Sequence, residues 1–238
     1  MRIALTGGIA CGKSLLARYL SEMGVRTIDA DDVVHELEAS GGAAVAPIVA
    51  QFGESVRAAS GGIDRQRLAE MVFGRSRTAG GQDSRTIGQQ EESPPGRAGR
   101  PRPAARAALE SILFPMVRKR ILEFIDSTPT VQQQLSLLTT NNYQLTTISI
   151  IPLLFESHWD SDYDIIISLV SEHEVQIRRM AETRGMSREQ AEARINAQLP
   201  VAEKAARADY VIENNSTPEA LKAESLRLVE WLKSKIRD

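Results

Sequence analysis

Apolar residues recur along the chain with two periods, and the alternation between them predicts its elements. Residues 2–6 (RIALT) form a short apolar run ending in glycines, the pattern of a buried strand entering a tight turn. From Lys13 the spacing becomes helical, with Leu16, Leu20 and Met23 on one face, and Gly24 marks the end of that helix. Residues 25–30 (VRTIDA) give a second short strand. Residues 31–40 (DDVVHELEAS) restart a helix with acidic residues in the first turn, where they suit its dipole. Strand, glycine loop, helix and strand in that order predict a parallel sheet.

The same reading places helical pieces at 43–53 (AAVAPIVAQFG) and 64–73 (DRQRLAEMVF), and a long helical pattern at 105–127 that Pro115 kinks or divides. Further strands are predicted in ISIIPLLFE, leaving into a loop at Pro152, in YDIIISLV, and in DYVIENN. Two arginine-rich helices, EHEVQIRRMAETRG and SREQAEARINAQL, are separated by a turn at Gly185. A terminal helix opens at Ser216 with Glu219 three residues on, and its apolar face is Leu221, Leu228, Val229, Leu232 and Ile236. About five strands, mostly apolar on both faces and alternating with helices, predict a doubly wound α/β sheet.

Composition interrupts this pattern, weakly in the polar, Gln- and Thr-rich and ambiguous VQQQLSLLTTNNYQLTT and strongly in one stretch. Residues 75–104 contain a single large apolar residue, Ile87, too little to offset ordering, so a disordered or loose insert is expected there. Its arginines suit either an acidic partner or, by preference, a solvated linker. The rest is ordinary for a soluble globular chain of 238 residues: 42% hydrophobic, 25% charged and a net charge of −2. That balance gives no argument for nucleic acid or a membrane surface. The longest apolar runs fall well short of the roughly 20 residues of a membrane span. One cysteine excludes an internal disulfide and fits a reducing compartment. The N-terminus reads as a strand rather than a secretory leader, so a cytoplasmic protein is expected, organised as one domain over 1–238.

Gly7, Gly12, Lys13 and Ser14 satisfy G-x-x-x-x-G-K-[ST] between a strand and a helix. Glycines let successive N–H groups turn inward on phosphate, the helix adds its dipole, Lys13 reaches the β- and γ-phosphates, and Ser14 can ligate Mg²⁺. A nucleoside triphosphate is therefore expected, held by either a phosphotransferase or a GTPase-type switch. Neither N-K-x-D nor D-x-x-G occurs in the chain, which weighs against the switch. Cys11 has no evident base. A place near a helix N-terminus lowers a thiol's pKa, yet a small space-filling role is preferred. Asp29 and Asp31, two apart and expected on extended chain beside the loop's strand, face the γ-phosphate side together. They can accept a proton or orient Mg²⁺; the competing reading is that Asp31 or Asp32 only caps the next helix. Arg178, Arg179, Arg184, Arg188 and Arg194, with Gln198 just beyond, include one or two residues placed to neutralise a transferred phosphoryl group, the others being solvated.

These residues resemble the dephospho-CoA kinase family. The matching pieces are LTGGIACGKS, IDADDVV, DRQRLAEMVF, LESILFPMV, IPLLFES, RGMSREQAEARINAQLP and ADYVIENN, in the family's order. The resemblance implies a P-loop kinase fold with helical substrate-binding and lid regions, the lid at about 172–206. It implies ATP-dependent, Mg²⁺-assisted phosphorylation of the ribose 3′-hydroxyl of dephospho-CoA in coenzyme A synthesis, by a monomer with no nucleic-acid or membrane partner. It places nucleotide contacts at Gly7, Gly8, Ala10, Cys11, Gly12, Lys13, Ser14, Leu15 and Asn214, the last near the adenine. Ser14 and Asp31 would hold the metal. Asp31 would be the base, supported by Asp29, and Lys13 and Arg194 would join it in catalysis. Arg65, in D-R-x-x-L, and Arg184 would bind substrate, with Arg184 and Arg194 as the lid arginines. The chain departs from the family at Leu15, where threonine is usual, at Phe114, where histidine precedes the proline, and in two long stretches, 75–104 and that before IPLLFE. The alternatives are another small-molecule or nucleotide kinase on the same scaffold, or a nucleotide-binding homologue without transferase activity.

Deleting residues 78–103 is expected to leave folding and activity largely intact, as measured by circular dichroism and a turnover assay; loss of both would show that the segment packs.

Overall fold

The computed structural model describes residues 1–73, 103–127 and 147–237; the side chains of 236 and 237, and so Ile236, lie outside that description. Most of the predicted insert at 75–104, and the long stretch before IPLLFE, also lie outside the described residues.

The described chain forms five strands: β1 (Ile3–Gly7), β2 (Arg26–Asp29), β3 (Thr147–Ile150), β4 (Ile165–Val170) and β5 (Tyr210–Glu213). All pair in parallel, in the order β2-β3-β1-β4-β5. From β1 the chain goes to the edge strand β2, returns to β3 beside β1, and then crosses to β4 and β5 on the other side. Right-handed crossovers then require helices on both faces, as in doubly wound folds. β1 and β3 are buried throughout and β4 almost throughout, as mostly apolar runs broken only by Thr and Ser allow, whereas the edge strands β2 and β5 are partly exposed.

The helices are α1 (Lys13–Glu22), α2 (Ala30–Glu38), α3 (Val45–Phe52), α4 (Arg65–Phe73), α5 (Pro103–Asp126), α6 (His173–Arg184), α7 (Arg188–Ile195), α8 (Val201–Ala206) and α9 (Pro218–Arg237). Two compact units result, Met1–Val33 with Lys119–Asp238, and Val34–Arg118. In the first, Leu16 and Leu20 of α1 and Leu221, Leu228 and Leu232 of α9 share one core with Ile3, Leu5, Ile148, Ile167 and Leu169 of the sheet. The second buries Ile48, Val56, Leu68 and Val72. In it the Asp64 carboxylate accepts from Arg67 N at 3.1 Å and caps α4.

Several expectations are corrected. β2 does not lie beside β1, because β3 stands between them. Asp31 is not on extended chain, because β2 ends at Asp29 and Asp31 sits in the first turn of α2. Pro115 does not divide its helix: α5 runs through it, and Leu113, Val117, Ile121 and Ile125, one turn apart, are all buried. A proline removes one ladder bond, which a well-buried helix tolerates. α5 also begins at Pro103, so residues 103 and 104 belong to a helix rather than to the insert. The cap of α9 is Thr217, whose hydroxyl oxygen accepts from Ala220 N at 3.4 Å, one residue beyond the expected Ser216. The short α8 was not predicted; six residues are too few to show a period.

Ile167 lies fully buried on β4, between β1 and β5. Ile167→Ala is expected to lower stability by about 2–5 kcal/mol in denaturant titration. A loss below about 1 kcal/mol would contradict its place in the sheet's centre.

Candidate functional site

The turn between β1 and α1 demands glycine where the chain has it. Gly7 has φ +145°, and a Cβ there would lie 2.1 Å from the Leu169 carbonyl oxygen on β4. Gly12, the residue before α1, has φ +99°. The following N–H groups of α1 have no intrahelical acceptor and open toward the loop's hollow. Ala10 adopts φ +59°, a conformation that costs a non-glycine residue about 1 kcal/mol or more and needs support from its surroundings.

That support comes from side chains. Gln176 Nε2 donates to the Ile9 carbonyl at 2.7 Å, and Gln198 Oε1 accepts from Ile9 N at 3.0 Å. Arg179 donates to the Ala10 carbonyl at 3.3 Å and to Ser171 Oγ at 3.1 Å. Asn214 Nδ2 donates to the Cys11 carbonyl at 2.8 Å, and the Asn214 carbonyl accepts from Ser171 Oγ at 2.7 Å. Ile9 and Ala10 also pack on the small core of the α6–α7 hairpin, formed by Ile177, Met180 and Ala191. Gly185, with φ +60°, makes the turn of that hairpin, and a Ser187–Gln190 capping box starts α7.

Lys13 Nζ donates to the carbonyls of Gly7 and Gly8 at 3.0 and 2.8 Å, so its ammonium is folded back over the loop's own backbone. Burial holds its pKa below the ordinary lysine range. The nearby Lys204 charge acts in the same sense, while Cys11, Asp31 and Asp29 oppose it. Cys11 is fully buried, and its sulfur accepts from Gln176 Nε2 at 3.3 Å. Burial pushes the thiol's pKa up despite the neighbouring Lys13, so it stays protonated and fills space, the role preferred from sequence.

A cleft of about 550 Å³ opens over this loop. Of the residues singled out in the sequence, Ala10, Gly12, Lys13, Ser14, Leu15, Asp29, Asp31, Arg179, Arg184, Gln198 and Asn214 line it, joined by Pro152, Thr183 and Ser216. Leu15, in the place of the family's threonine, also packs against the main core. Gly7, Gly8 and Cys11 shape the loop from outside the lining. Asp29 Oδ1 accepts from Asp31 N at 2.9 Å. Thus Asp29, rather than Asp31 or Asp32, fixes the start of α2, and this bond aims Asp31. Burial raises the Asp29 pKa; the bond from Asp31 N and the Lys13 charge counter it, and the charges of Asp31 and Asp32 raise it further.

The arginines divide. Arg179 and Arg184 line the cleft. Arg178 pairs with Glu182, and Arg188 with Glu174 and Glu192, on the hairpin's exposed face. Arg194 is exposed on α7, outside the lining. Arg65 belongs to the other compact unit, where its Nε donates to the buried Glu38 carboxylate at 2.7 Å; Phe114, also of that unit, is partly buried. Gln176 and Lys204 were not anticipated. The signal for Gln176 was a polar residue one turn before Met180 on the helix's buried side, which requires a partner. Nothing in the sequence marked Lys204.

Ser14, Asp29 and Asp31 present only oxygen donors to the cleft, and no cluster of three or more His, Cys, Asp or Glu side chains with metal-binding geometry occurs among the described residues. Such a donor set fits Mg²⁺, which is usually held by one or two carboxylates together with substrate phosphates.

Comparison with known proteins agrees with this geometry. The family model described as "Dephospho-CoA kinase" matches residues 1–79 and 101–219, leaving out the middle of the predicted insert. A dephospho-CoA kinase of Geobacillus kaustophilus is 33% identical over 232 residues, covering 97% of this chain and 96% of that protein. Among solved structures, a crystal structure from Thermus thermophilus superposes with a TM-score of 0.64 at 26% identity, covering 97% of both chains. The dephospho-CoA kinase of Campylobacter jejuni shares the fold, with a TM-score of 0.54 at 21% identity over 96% of this chain and 95% of that one. The chain belongs to the dephospho-CoA kinase family.

Proposed function

We propose that this protein transfers the γ-phosphoryl group of ATP to the ribose 3′-hydroxyl of dephospho-CoA, giving coenzyme A. The observation that carries this reading is one cleft holding a glycine-turned phosphate loop with its lysine and, facing it, the Asp29–Asp31 pair, in a chain of this family.

The loop N–H groups and the start of α1 cradle the phosphates of ATP. Lys13 exchanges the carbonyls of Gly7 and Gly8 for phosphate oxygens, a better match for a buried ammonium. Mg²⁺ would supply positive charge to offset that of the phosphates. Ser14 and Asp31 would hold it. Asp31 accepts the proton of the attacking hydroxyl, and Asp29 fixes its direction through the Asp31 N–H. Arg184 binds substrate phosphate from the cleft wall. The segment at about 172–206 acts as a lid, and its closure carries Arg194 to the transferred group. Asn214 supports the loop on the nucleotide side. The protein acts as a cytoplasmic monomer. Among the described residues no helix is long and apolar enough to cross a membrane.

The test is steady-state kinetics with ATP and dephospho-CoA. Lys13→Ala is expected to abolish turnover, and a near-wild-type rate would refute the phosphate-loop assignment. Asp31→Asn is expected to lower kcat by roughly 10² or more if Asp31 is the base. A change confined to KM would make it a binding group only.

A further inference from the structure

Lys204, on the short helix α8, is fully buried although charged. Its Nζ lies 2.8 Å from Glu156 Oε1 and donates to the Pro152 carbonyl at 2.7 Å. The same Glu156 oxygen accepts from Leu199 N at 2.9 Å, while Glu156 Oε2 is buried with no hydrogen-bond partner among the described residues. Each end of this pair leads to the cleft. Leu199 follows Gln198, whose side chain holds Ile9 N at 3.0 Å. The Pro152 carbonyl also accepts from Thr6 Oγ1, on β1, at 3.3 Å. Gln198 and Pro152 both line the cleft.

We propose that Glu156 and Lys204 are positioning residues for phosphoryl transfer, an ion pair between a fully buried lysine and a partly buried glutamate that fixes the loop after β3 and the turn before α8 so that Gln198 holds the phosphate loop at Ile9. Taking the Lys204 ammonium wholly and the Glu156 carboxylate partly out of water carries a desolvation penalty, and an apolar pair of similar size often supports a fold as well or better. What the polar pair supplies that an apolar one lacks is direction: one carboxylate oxygen fixes both an ammonium and a backbone N–H, and the ammonium fixes a carbonyl. The Lys204 charge is also felt at Lys13, so it adds to the positive potential facing the phosphates.

The inference rests on the phosphotransferase reading above, and its test separates the two. The full chain carrying Lys204→Met together with Glu156→Gln has no buried charge, nearly the same volume, and an amide oxygen still able to accept from Leu199 N. Its thermal midpoint, kcat, KM for dephospho-CoA and amide exchange at Ile9 in nucleotide-free protein are compared with wild type. The folded variant is expected to lose roughly 10- to 100-fold in kcat with little change in KM. Its Ile9 amide is expected to exchange at least about tenfold faster as Gln198 loses its hold. Wild-type kcat and wild-type exchange at Ile9 would overturn the proposal. So would a variant unfolded at the assay temperature, because the pair would then serve stability. A wild-type chain without turnover would overturn the proposed function alone, since exchange at Ile9 still decides how the loop is held.

Discussion

A loop that binds phosphate with its backbone must leave its N–H groups pointing inward, and so cannot satisfy its own carbonyls by ordinary ladder bonds. In this protein the carbonyls and one N–H of residues 9–11 are held by Gln176, Arg179, Gln198 and Asn214. Those four side chains come from α6, the turn before α8 and the end of β5, so the rest of the first compact unit is arranged to bring them to one place. The parallel sheet does this economically. β1, β4 and β5 are neighbours, and their carboxyl ends deliver the loop, the start of α6 and Asn214 to the same edge. The Gly7 position ties the loop to β4 as well, since any side chain there would meet the Leu169 carbonyl.

The electrostatics follow from this packing. Lys13, Lys204 and Asp29 are drawn away from bulk water, and burial moves Lys13 and Asp29 toward their neutral forms. Each is compensated locally: Lys13 by two carbonyls, Lys204 by Glu156 and a carbonyl, Asp29 by the Asp31 N–H. The cleft is thus positive at the loop and negative at the start of α2. This polarity suits a bound polyphosphate on one side and a hydroxyl about to lose its proton on the other.

Much of this was legible in the sequence, and the gaps have physical causes. The strands showed because a parallel sheet buries both faces, leaving largely apolar runs such as IIISLV, in which Ser168 is the one polar residue. The phosphate loop showed because Gly7 and Gly12 are required by backbone geometry, which leaves a fixed spacing. Strand order did not show, since pairing β2 with β3 rather than β1 is a choice made between distant segments. Asp31 was placed on extended chain because a two-residue spacing looks the same on a strand and at a strand-to-helix junction. Lys204 and Glu156 were invisible because a lysine in VAEKAA reads as a solvated helix face, and only tertiary packing turns it inward.

The central claim, that this cleft phosphorylates dephospho-CoA from ATP, is tested most directly by one coupled assay of ATP consumption with dephospho-CoA, AMP, adenosine and shikimate offered separately as acceptors. The account predicts turnover with dephospho-CoA and little with the others. Turnover with AMP but not with dephospho-CoA would contradict it, as would ATP binding without turnover on any acceptor.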